Sequence, residues 1–130
     1  MIADKRAAMS REEAIMSGLT GAPPHLPREI AGWECHWQMR SAELEITGRR
    51  LDRRSASIGQ ALAGRILVRR TASGWDVETR LWILEDLAEH QRLRTRRGTA
   101  ATLSELHDLL VDAGLPSELA LSISEAASSL

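Results

Sequence analysis

Two β-type runs, Arg65–Thr71 and Trp75–Ile83, are joined by only three residues, Ala72-Ser73-Gly74. Alternating runs this close in sequence satisfy their backbone groups most readily by pairing with each other, and a glycine in the loop supplies the positive φ that a tight reversal needs. The spacing predicts a β-hairpin over about residues 65–83. In its second strand Trp75, Val77, Thr79, Leu81 and Ile83 form one face, and Asp76, Glu78, Arg80, Trp82 and Leu84 form the other. Only Trp82 and Leu84 interrupt that polar face. Both are candidate interface residues, since an indole on a polar strand face needs a cover, and Trp is favoured at interface anchors.

Upstream, Trp33, Cys35, Trp37 and Met39 alternate as in a strand, while Trp33, Trp37, Arg40, Leu44 and Leu51 also fit a helical stripe. The strand reading is preferred, with a break at 40–42, where the phase changes to Ala42, Leu44, Ile46. Under either period Trp33 and Trp37 share a face and are buried or exposed together. Ser10-Arg11-Glu12-Glu13 has the form of a capping box and predicts a short N-terminal helix, ended by Gly18, Gly21 and the prolines of a stiff linker over 20–29. Downstream, Leu84, Leu87 and Ala88 suit the inner side of a helix over Glu85–Arg94. Thr102-Leu103-Ser104-Glu105 is a second capping box, followed by the stripe Leu103, Leu106, Leu110, Ala113, a Gly114-Leu115 ending, and Pro116 opening a last helix with Leu119, Ile123, Ala126 and Leu130 on one face. Residues 102–130 thus read as a helical hairpin. The expected fold is a single α+β domain over 1–130, an antiparallel sheet packed against N- and C-terminal helices.

A chain of 130 residues, 43% apolar and 27% charged, is large enough to bury a core without metals or disulfides. Its single cysteine, Cys35, and the lack of any long apolar stretch point to a cytoplasmic protein with no membrane contact. Sixteen arginines against one lysine, with no Phe, Tyr or Asn, match the codon bias of a GC-rich bacterial genome, which weakens arginine abundance as a sign of phosphate binding. Position is more informative. Residues 1–48 carry five basic and seven acidic side chains, 49–100 twelve and six, and 101–130 none and five, so the segment charges are −2, +6 and −5. Either the basic middle meets a polyanion or the acidic helical end folds back onto it.

No motif specifies a reaction. Gly59-Gln-Ala-Leu-Ala-Gly64 has the glycine spacing of a phosphate loop, but Arg65-Ile66 stand where the lysine and the magnesium-binding hydroxyl belong. Cys35 and His36 are adjacent and point apart, while His25, His90 and His107 lie far off without metal-ligand spacing. Catalytic residues, metal ligands and cofactors are accordingly not expected. The resemblance between Leu51–Ser57 and Leu67–Ser73 is too short for a repeat.

The candidate anion- or partner-binding residues are Arg69, Arg70, Arg92, Arg94, Arg96 and Arg97. They would form a multi-phosphate footprint if folding gathered them on one side. The alternative is pairing with the acidic residues Glu105, Asp108, Asp112, Glu118 and Glu125. A helix-turn-helix is disfavoured because the last helix has no basic residue to set beside phosphates. The sequence therefore favours a non-catalytic protein-interaction module, a small regulator, adaptor or chaperone binding another protein or itself as a homo-oligomer. Nucleic-acid binding through the arginine-rich middle is the alternative.

Overall fold

A computed structural model describes residues 26–86 and 90–130. The fold is α+β. Six strands, β1 (Glu29–Ile30), β2 (Trp33–Arg40), β3 (Glu43–Arg50), β4 (Ala61–Thr71), β5 (Gly74–Leu84) and β6 (Gln91–Ala100), form one antiparallel sheet in sequence order. Two helices follow, α1 (Leu103–Asp112) and α2 (Ser117–Ala127). The proposed helix at Ser10, His25 and most of the Pro-rich segment lie outside the described residues; the end of that segment, Glu29, enters β1.

The sheet's period of two separates its faces. Trp33, Cys35, Trp37, Leu44, Ile46, Ile66, Val68, Trp75, Val77, Leu81 and Ile83 are buried on the side that receives Leu106, Leu110, Leu119 and Ile123 of the helices. Trp33 and Trp37 are thus buried together. The ambiguous segment forms two strands and no helix: β2 turns into β3 through Ser41 and Ala42, where the alternation changes phase, and β3 ends at Arg50.

Two sequence expectations change. Gly74 pairs with Thr71 inside the ladder, so the β4–β5 loop is Ala72-Ser73 alone. Gly74 has φ +147°, and a Cβ there would run into the carbonyl oxygen of Ala100, so glycine is required by close approach as well as by backbone conformation. The helix expected over Glu85–Arg94 is not formed, because Gln91–Ala100 is strand β6, paired with β5 from Trp75↔Ala100 to Leu84↔Gln91. An apolar spacing around Leu84 suggested the helix. The stretch that follows carries Thr95, Gly98 and Thr99 and satisfies the second edge of β5.

The helical end is built on its termini. Thr102 Oγ1 accepts from the Glu105 amide at 3.1 Å, and Glu105 Oε1 accepts from the Ala101 amide, one residue before the cap, at 2.7 Å. At the other end of α1 the Leu115 amide donates to Leu110 O and the Gly114 amide to Val111 O, a Schellman ending with Gly114 at φ +116°. Leu103, placed on the apolar stripe by its spacing, is exposed; Leu106, Leu110 and Ala113 are buried. Thr102→Ala should remove the cap and lower stability by about 1 kcal/mol, read as a lower urea midpoint at unchanged slope; an unchanged midpoint would contradict the capping role.

Candidate binding surface

The sheet leaves one broad face away from the helices. Register places Glu29, Glu34, Glu43, Glu45, Asp76 and Glu78 on it together with Arg40, Arg49, Arg65, Arg69, Arg80 and Arg97. Six acids and six arginines cancel. Three pairs interlock across strands, with Arg49 2.9 Å from Glu34, Arg65 2.6 Å from Glu45 and Arg69 3.0 Å from Glu43, and within β5 Arg80 lies 3.3 Å from Glu78. A groove of about 540 Å³ runs over this face between Leu67, Arg69, Asp76, Glu78, Arg97 and Thr99. Its walls carry both signs of charge, so it has no excess positive field for an anion.

The six arginines singled out from the sequence are not gathered into one footprint. Arg69 and Arg97 are on the outer face, and Arg97 shares Glu78 with Arg80 at 3.5 Å. Arg70 is on the helix side, its guanidinium 4.6 Å from the centre of the Trp75 ring. Arg92 lies 3.4 Å from Glu85. Arg94 donates to the carbonyl oxygen of Ala113 at 2.7 Å and Arg96 to that of Asp112 at 3.0 Å. These two cap the C-terminus of α1, where unsatisfied carbonyls and the helix dipole favour a cation. Neither helix has a basic residue in its last turn, and for α1 strand β6 supplies that charge. The acidic end does meet the basic middle, but at these sites through backbone carbonyls. Burial, and secondarily the neighbouring Arg96 and Arg92 charges, pull the Arg94 pKa below its usual value.

Of the two candidate interface residues, Leu84 is buried, 6% exposed, and unavailable as surface. Trp82 is 44% exposed, and its cross-strand partner is Leu93, 47% exposed. Ala63 lies on the other side of Trp82 in β4, so Ala63, Trp82 and Leu93 form an apolar corner of the outer face. Leu93 is not legible in the sequence as a neighbour of Trp82, because a helical 85–94 segment cannot place it across from that indole.

Other polar groups have local explanations. The Cys35 thiol is buried, and burial, followed by the nearby Glu34 charge, pushes its pKa up to about 11, leaving it a poor nucleophile. His90 Nδ1 is 2.8 Å from Asp86 Oδ2, and this hydrogen bond raises the histidine pKa. His107 Nε2 is 3.2 Å from Ser117 Oγ and its Nδ1 3.6 Å from Asp108, which ties α1 to α2 on an open surface where Asp108 is solvated. Among the described residues, no three His, Cys, Asp or Glu side chains are placed to hold a metal ion. Gly64 of the loop-like glycine motif lies within β4 opposite Leu81. Among the described residues no helix is long and apolar enough to cross a membrane.

Comparison with family models, curated proteins and solved structures gave no match.

The capping role separates Arg94 from Arg97. Arg94→Met should lower stability by about 1–2 kcal/mol through loss of a charge-assisted bond at a helix end. Arg97→Met should change it by less than about 0.5 kcal/mol. Urea midpoints of the two variants check this, and equal effects would contradict the assignment.

Proposed function

We propose that this protein is a non-catalytic interaction module that binds another protein through the apolar corner at Trp82. The observation that carries the reading is the Trp82–Leu93 pair, a large apolar contact left exposed on an otherwise charge-balanced sheet face. An exposed indole flanked by a second apolar side chain and rimmed by arginines has the composition of an interface anchor. The arginines support the same reading, because those expected to hold phosphates already face carboxylates, an aromatic ring or helix carbonyls. A phosphate footprint would also need these arginines on one surface, and they lie on two faces of the sheet. Regulator, adaptor and chaperone are the roles such a module serves, and a second copy of the chain is one partner the corner can take.

Affinity purification of the tagged protein from its native host, with and without added nuclease, tests the reading. The expected result is a stoichiometric protein partner, or a dimer, retained by the wild type and lost in Trp82→Ser, a substitution of an exposed side chain that leaves the core intact. Bound nucleic acid with no protein, or a monomer unaffected by the substitution, would overturn it.

A further inference from the structure

Among the described residues strand β6 ends the sheet, and its outer edge carries backbone groups whose direction follows from the ladder. The Leu84 amide donates to Gln60 O at 3.0 Å on the β4 side, and the Glu85 amide donates to His90 O at 2.8 Å on the β6 side. Odd-numbered residues of β5 therefore bond toward β6, because backbone groups alternate along a strand. In the observed register their partners are Arg92, Arg94, Arg96, Gly98 and Ala100. The amides and carbonyls of Leu93, Thr95, Arg97 and Thr99 point away from the sheet. None has a backbone partner among the described residues. A ten-residue edge with unpaired donors and acceptors is a template for another strand.

The charge of this edge limits what can pair with it. Gln91–Ala100 holds four arginines and no acid. Antiparallel pairing of two β6 strands would set arginines against arginines, which cross-strand energetics disfavour. The arginines bonded to Ala113, Asp112 and Glu85 each retain further N–H donors, since a guanidinium is a multiple donor and each contact uses one. Arg92, Arg94 and Arg96 lie on the helix-side face at every second position, while Leu93 and Trp82 lie on the other face.

We propose that the free edge of β6 receives an extended acidic segment of a protein partner as a seventh strand, its carboxylates at alternate positions facing Arg92, Arg94 and Arg96. The proposal rests on the protein-interaction reading and specifies its partner. Main-chain bonds to Leu93, Thr95, Arg97 and Thr99 give affinity, and the alternating carboxylates select the sequence. On the opposite face of the added strand an apolar side chain meets Leu93 and Trp82.

The test uses the full chain and an end-capped peptide, Glu-Val-Glu-Thr-Glu-Val-Glu-Thr, with binding followed by fluorescence anisotropy and amide hydrogen exchange. Saturating peptide is expected to slow exchange at Leu93, Thr95, Arg97 and Thr99 and to leave Arg94 and Arg96, already bonded within the sheet, unchanged. The same peptide N-methylated at alternate amides, or its lysine counterpart, should not bind. Arg92→Gln with Arg96→Gln should weaken binding about 2- to 30-fold, the range that two exposed ion pairs span. Thr95→Pro removes an outward amide without breaking the β5 ladder and should abolish protection. Equal binding of the N-methylated peptide, or peptide binding without protection of these four amides, would overturn the proposal. Their protection in a dimer of the chain alone, or displacement of the peptide by single-stranded RNA, would overturn it too. If the host-cell partner leaves Trp82→Ser but stays on Thr95→Pro, the edge proposal fails and the interaction reading stands; if no partner is held by the wild type, the reading itself fails.

Discussion

The two-residue period of the sheet is the constraint on which the other features depend. A slip of one residue in any strand would turn Trp33, Ile46, Val68 or Val77 toward water and bring an arginine or glutamate under the helices. The ladder is fixed by this cost. Once it is fixed, the outer face is set as well: its acids and arginines fall opposite each other, and Trp82 falls opposite Leu93.

The same parity decides what the arginines do. On β6, Arg92, Arg94 and Arg96 project toward the helices while Arg97 does not. Two of the helix-side arginines end on carbonyls at the C-terminus of α1, and the Trp75 indole donates to Ala127 O at the end of α2, 3.1 Å away. Sheet donors thus complete both helix ends. This gives the charge division of the chain a structural meaning, since α1, in the segment without basic residues, receives cations at its C-terminus from the strand just before it.

Much of the sheet was legible in the sequence. Alternation at Trp33–Met39 and Trp75–Ile83 marks the buried face directly, and the Thr102 box and Gly114 mark the ends of α1 because each satisfies specific backbone groups. Strand β6 was not legible, since a run of arginines has no apolar period to reveal it and its strand state comes from pairing with β5. The surface was legible in part. Trp82 stands out as an apolar residue out of pattern, whereas Leu93 becomes its neighbour only through register, and Leu84 drops out because it is buried. The arginines were visible as a cluster in sequence, but parity and register scatter them over two faces.

Whether these arginines are matched within the chain or await phosphates is the question on which the account turns. A gel-shift series with random-sequence RNA and DNA across salt concentrations answers it most directly. No shift is expected at physiological salt. Tight binding that falls steeply with salt, with a log–log slope reduced by about 1.4–1.8 when two of Arg92, Arg94, Arg96 and Arg97 are replaced by alanine, would contradict it.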